Sequence, residues 1–158
     1  MTILELPTEE NLTALITKLP EGITALERIL LSSFGTVQTL LSVIFRTPVR
    51  VEVLSQCERY GVIIRWVKLL AGENVVCLAE SVIPLMENTP GFIDAIRDAQ
   101  LGIGQAIARL SLESQRELLG FYVDENMVAR NYRISGDVEV IITETFPRKT
   151  LLEAGAKQ

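Results

Sequence analysis

The chain contains no histidine, and that one absence removes a wide range of chemistry. No imidazole can act as base, proton shuttle or metal ligand, so Ser-His-Asp and Cys-His nucleophile systems are excluded. Cysteine is nearly as scarce. Cys57 and Cys77 cannot supply a four-ligand zinc site alone, and with no imidazole to activate them both are expected to be packing thiols. Basic residues are few: 15 Lys and Arg against 20 Asp and Glu give a formal charge of −5. A nucleic-acid surface needs a basic patch, so no nucleic-acid partner is expected. With 10 Gly and 6 Pro, a collagen-like or Gly-rich chain is ruled out. No apolar run reaches the ~18 residues that a membrane helix needs. Met1 to Glu10 carries acids where a signal peptide carries a basic n-region. A cytoplasmic protein with reduced thiols and no membrane partner is therefore expected.

What is present is apolar. Of 158 residues, 48% are hydrophobic, which suits one domain over residues 1–158 that folds without metal or disulfide. No internal repeat or linker divides it. Residues 1–46 read as a helical segment, 48–147 as a sheet core with inserted helices, and 148–158 as a polar tail expected to fray. Thr8-Glu9-Glu10 opens a short helix that Pro20 stops. Thr24-Ala25-Leu26-Glu27 is a capping box before a second helix. After a break at Ser32 to Gly35, apolar residues at Val37, Leu40, Leu41, Ile44 and Phe45 keep helical spacing. Beyond Pro48 the period becomes two. Val49 to Leu54, Gly61 to Leu70 and Val75 to Ile83 read as strands, the last two joined as a hairpin through Ala71-Gly72-Glu73-Asn74. Thr89-Pro90 caps and starts another helix, and a short one ends near Leu110. Leu112 to Val123 reads as extended or partly helical. Met127 to Ile134 and Val138 to Phe146 form a second hairpin around Ser135-Gly136-Asp137. Hairpins separated by helices, without βαβ alternation, give an α+β fold: an antiparallel sheet covered by helices.

The informative step is the facing of strand residues, since residues two apart share a face. Ile63, Arg65, Val67 and Leu69 share one; Val76, Leu78, Glu80 and Val82 another; Val138, Val140, Ile142, Glu144 and Phe146 a third. Each face is apolar but for one charge, so Arg65, Glu80 and Glu144 are expected to point inward. An inward charge costs several kcal/mol unless it is paired or sits in a solvated cavity. It therefore marks either a structural ion pair or a pocket where a guanidinium grips an anion and a carboxyl group does proton chemistry.

Three segments carry a family resemblance. Arg65-Trp66-Val67-Lys68-Leu69-Leu70-Ala71-Gly72-Glu73, Ala79-Glu80-Ser81-Val82-Ile83-Pro84, and Tyr132-Arg133-Ile134-Ser135-Gly136 followed by Ile141-Ile142-Thr143-Glu144-Thr145-Phe146-Pro147 resemble the hairpins of chorismate pyruvate-lyases. With Leu101-Gly102-Ile103-Gly104 between them, the likeness spans roughly Leu26 to Pro147, and it most resembles a divergent archaeal and bacterial branch. The same fold serves as the effector-binding domain of some transcription regulators. The resemblance implies a cofactor-free lyase that converts chorismate to 4-hydroxybenzoate and pyruvate in a pocket within an antiparallel sheet, under helical flaps. It places the substrate-gripping arginine at Arg65, the catalytic glutamate at Glu144 and a main-chain contact at Ile103 and Gly104. The flap methionine of the family falls on Gly35, beside Thr36. Glu80 stands where the best-studied enzymes carry a basic residue. On this reading Arg65 holds a substrate carboxylate, Glu144 is the general acid, and the flap from Leu31 to Phe45 excludes water. The alternative is a non-catalytic domain of the same fold that binds an aromatic carboxylate.

Other signals are weaker. Leu26 to Phe45 could be read as a helix-turn-helix, but the second helix offers only Arg46, beyond its end, for phosphates. Helices lying on the sheet are expected instead. A lone Gly-x-Gly at 102–104 is no phosphate loop on its own. Met127 and Tyr132 read as ordinary strand residues. Arg133 falls on a polar face with Asn131 and Ser135. Glu113, Arg116 and Glu117 read as a solvated face, although Arg116 could reach the pocket if its strand borders it.

Overall fold

The computed structural model describes residues 8–33, 37–98 and 101–156 of the chain. Helix α1 (Glu9–Lys18) starts at Thr8, whose hydroxyl accepts from the Asn11 N–H. Helix α2 (Ala25–Ser32) begins with the expected capping box: the Thr24 hydroxyl accepts from the Glu27 N–H at 3.1 Å, and the Glu27 carboxylate accepts from the Thr24 N–H at 2.9 Å. Helix α3 spans Val37–Phe45. Three strands follow, β1 (Val49–Arg59), β2 (Val62–Ala71) and β3 (Asn74–Pro84). Helix α4 (Pro90–Arg97) carries proline at its start behind the Thr89 cap, and α5 covers Ile103–Arg109. Strands β4 (Ser114–Val123), β5 (Met127–Gly136) and β6 (Val140–Pro147) complete one six-stranded antiparallel sheet in the order β1-β2-β3-β6-β5-β4. The segment read as extended or partly helical is thus strand β4. The α+β class is as expected. Among the described residues, no helix is long and apolar enough to cross a membrane.

Helices cover one face of the sheet through two clusters. Leu30 and Leu31 of α2 and Val37 and Leu41 of α3 pack with Leu69, Cys77, Val128 and Phe146. Phe92, Ile93 and Ile96 of α4 and Ala106 of α5 pack with Ile63, Ile83, Tyr132, Ile134 and Ile142. Burying each such side chain is worth about 1.5–3 kcal/mol. Helices α2 and α3 therefore lie on the sheet, not out as a recognition motif. On the other face Trp66, Leu78 and Ile141 stand exposed.

Two expectations fail here. The tail beyond Pro147 is helix α6 (Arg148–Ala156). It is anchored, because Leu151 is buried in the first cluster and Arg148 binds back to the N-terminal third. Its guanidinium donates to both carboxylate oxygens of Glu27 at 2.8 and 2.9 Å, and to the Asp124 and Gly22 carbonyls. A polar composition hid a single long-range ion pair. The second failure is Cys57, which is exposed; Cys77 alone is a packing thiol, and burial pushes its pKa well up.

Burial works to raise the Glu27 pKa, but the bonds from Arg148 and Thr24 outweigh it and hold the carboxyl below its ordinary value of 4.5. A group depressed in the folded state stabilises fully above its unfolded value, and that contribution is lost as pH falls through the folded one. Glu27→Ala is expected to lower unfolding free energy at pH 7 by about 3–5 kcal/mol, since it leaves Arg148 half-buried without its counter-ion. Urea unfolding at pH 7 and again below pH 4 checks this: the unaltered chain should lose more stability on acidification than the variant.

Candidate functional site

The sheet register builds the site row by row. On the covered face Arg65 of β2 lies opposite Ser81 of β3, Ser81 opposite Ile142 of β6, and Ile142 opposite Tyr132 of β5. In the next row Val67, Ala79, Glu144 and Arg130 follow in the same order. Strands are roughly 4.8 Å apart and residues two apart lie roughly 6.7 Å along a strand, so the backbones at Arg65 and Glu144, two strands and one row apart, are separated by about 12 Å. The residues between them, Ala79 and Ser81, are the small ones, and both are buried. Short side chains at the centre leave a cavity of about 150 Å³, near the size that admits a single benzene ring in a protein core.

The cavity lies at the seam of the two core clusters. Val37 and Leu69 from the first and Tyr132, Ile134 and Ile142 from the second all line it. Val51 of β1 and Arg116 of β4 lie at opposite edges of the sheet, so all six strands contribute. Gln38 of α3 and the first turn of α5, including Ile103 and Gly104, complete the lining. Arg65, Glu144, Ile103 and Gly104, the candidates named from the sequence, thus line one cavity.

Glu80 is a correction. It is half-buried and does not line the cavity. The ladder between β2 and β3 slips where Leu69 faces Cys77 and Leu70 faces Val75, leaving Val76 with no partner of its own. That one-residue bulge turns every later side chain to the other face. Cys77, Ala79, Ser81 and Ile83 point inward in place of Leu78, Glu80 and Val82. Gly35 and Thr36 lie outside the described residues.

The charges differ from the sequence reading in one respect. Arg65 is 2% exposed. Burial lowers its pKa from the usual arginine value, and the charge of Asp98 at the end of α4 works the other way. Glu144 is not a lone carboxyl in an apolar wall. It forms an ion pair with Arg130, whose Nε donates to Glu144 Oε1 at 2.8 Å, with the two side chains 1% and 8% exposed. The Tyr132 hydroxyl donates to Oε2 at 3.3 Å. Burial, and next the Glu144 charge, raise the Tyr132 pKa above its ordinary value, so the phenol keeps its proton. Arg130 also donates from Nη1 to the Leu31 and Ser33 carbonyls at the end of α2, where helices leave carbonyls unsatisfied. The guanidinium carbon lies 5.0 Å from the centroid of the Tyr132 ring.

Arg130 and Tyr132, which hold Glu144, are the residues of the candidate site that the sequence reading did not single out. The signal was available: Val128, Arg130, Tyr132 and Ile134 alternate on β5 as Arg65 does on β2, and all are buried. Arg116 settles the other way from its solvated neighbours. It is half-buried and lines the cavity, its guanidinium carbon 5.6 Å from the Tyr132 ring centroid. Arg133 stays outside, paired with Glu139 on the surface. Among the described residues no cluster of three or more acidic or thiol side chains could hold a metal ion.

No family model matches the chain, and no curated protein does either. Among solved structures it is similar to the gene product SA0254 from Staphylococcus aureus subsp. aureus N315, with TM-score 0.52 and 11% identity over 67% of this chain and 88% of that one. It is also similar to the ligand-binding domain of a putative GntR-family transcriptional regulator from Bordetella bronchiseptica, with TM-score 0.40 and 7% identity over 62% of this chain and 84% of that one. The first likeness is one of fold.

The Arg130–Glu144 contact predicts a specific stability pattern. Arg130→Met leaves a buried carboxylate without its counter-charge and should cost about 3–5 kcal/mol in urea unfolding. Removing both charges with Glu144→Gln in addition should recover a substantial part of that loss, because the two residues are coupled. A double variant whose cost equals the sum of those of Arg130→Met and Glu144→Gln alone would show that the pair is not coupled.

Proposed function

We propose that the protein is a lyase that eliminates pyruvate from chorismate and leaves 4-hydroxybenzoate, without a cofactor. The observation that carries this reading is the meeting of Arg65 and Glu144 in one apolar cavity of single-ring size, joined to the motif resemblance that selected the same two residues. Arg65 holds the ring carboxylate through charge-assisted hydrogen bonds. The elimination breaks the bond from the ring to the enolpyruvyl oxygen, removes a proton from the adjacent ring carbon that bears the hydroxyl, and gives the departing enol a proton as it becomes pyruvate. Glu144 is the group placed to carry that proton. It takes the proton from the ring and returns it to the leaving group as general acid. Arg130 and the Tyr132 hydroxyl orient its two oxygens. The reaction gains an aromatic ring, so the site needs mainly to orient the substrate and exclude water.

The second reading, a domain that binds an aromatic carboxylate without turning it over, is favoured by one observation. Both Glu144 oxygens already accept hydrogen bonds from the protein. The same residues then recognise a ligand with a carboxylate at Arg65 and a hydroxyl at Glu144.

Incubation with chorismate should release pyruvate and 4-hydroxybenzoate in equal amounts. Glu144→Gln should reduce kcat by about 10²–10⁴-fold with 4-hydroxybenzoate binding retained, whereas Arg65→Gln should weaken binding itself. Folded protein that binds 4-hydroxybenzoate yet releases no pyruvate at high enzyme concentration overturns the lyase reading in favour of the binding one.

A further inference from the structure

Arg116 has no part in the reaction just described, yet it lines the same cavity. It stands on the edge strand β4, opposite Ile134 of β5. From β2 to β4 there are four strand spacings in the order β2-β3-β6-β5-β4, roughly 19 Å between backbones. The Arg65 and Arg116 side chains nevertheless reach one cavity of about 150 Å³, which therefore has a guanidinium side chain toward each end. Apart from Glu144, these two cations are the charged side chains in its lining among the described residues. Arg65 is buried and Arg116 half-buried, so Arg116 is the more solvent-accessible of the two. The Tyr132 ring holds the guanidinium of Arg116 at 5.6 Å, within the range in which a cation is drawn to an aromatic face. That ring is itself fixed from below by its bond to Glu144 and by Arg130.

We propose that Arg116 is the specificity residue of the pocket, taking the second carboxylate of a ring acid whose first carboxylate lies on Arg65. It separates dianionic ring acids from monoanionic ones. The inference rests on the reading of the cavity as a ring-carboxylate site. Guanidinium fits this role because its planar fork matches a carboxylate bidentately, which a lysine ammonium cannot do.

The test uses the full chain and a matched pair of stable ring acids: 3-methoxybenzoate, with one carboxylate, and 3-(carboxymethoxy)benzoate, which adds a second through an ether link. Dissociation constants are measured for the unaltered protein and for Arg116→Gln, Arg116→Lys and Arg65→Gln. Arg116→Gln should weaken the dianion by about 10- to 100-fold and leave the monoanion unchanged. Arg116→Lys should fall between, and Arg65→Gln should weaken both. Because Arg116 is half-buried, the lysine variant guards against a simple loss of folding. If the unaltered protein binds the pair but Arg116→Gln weakens neither acid, or both equally, the role of Arg116 is overturned and the pocket reading stands. If the unaltered protein binds neither acid, both readings fall together.

Discussion

The constraint on which the site depends is the cost of a charge inside an apolar core. Glu144 is 6% exposed and Arg130 2%, and neither could sit there alone. They face each other across the β5–β6 ladder, so strand pairing alone sets the contact. Because Arg130 also binds the last carbonyls of α2, one guanidinium joins the sheet floor to a covering helix. A well-packed apolar pair in the same place would stabilise the fold as well or better. The ion pair is therefore weak evidence for stability.

The cavity follows from side-chain size as much as from charge. The two helix groups each fill their half of the sheet, α2, α3 and α6 on one side and α4 and α5 on the other. Between them β3 offers Ala79 and Ser81, where larger residues would close the gap. Interiors pack nearly as densely as crystals, so a space of this size persists only where several short side chains coincide. The bulge at Val76 brings them there: without it Leu78 and Glu80 would point inward.

That bulge also explains what could and could not be read in advance. Helix caps at Thr8, Thr24 and Thr89 are local devices, and each stands where its residues indicated. Arg65 and Glu144 lie on strands with regular alternation up to those positions, so counting by twos placed them. Glu80 follows an unpaired residue in a stretch with apolar side chains on both faces, and nothing in Val75-Val76-Cys77-Leu78 marks the slip. Arg130 was within reach of the same counting, since it alternates with Val128, Tyr132 and Ile134 on the buried face of β5. Arg148 was beyond it, since its partner Glu27 is 121 residues away. Residues at single inward positions are legible when their strand is regular. Long-range pairs and bulges are decided by the assembled sheet.

The position of Glu144 bears on enzyme against binding domain. An acid in the wall of a carboxylate-binding pocket repels the ligand's own charge and must itself be paired. Here Arg130 and the Tyr132 hydroxyl do that pairing and keep the acid oriented toward a cavity whose other lining charges, among the described residues, are cations. In the two proposed readings such an acid meets either a ligand that donates a hydroxyl to it or a step that moves a proton through it. Under either proposed reading the ligand is a ring that carries a carboxylate at one end and a hydroxyl at the other.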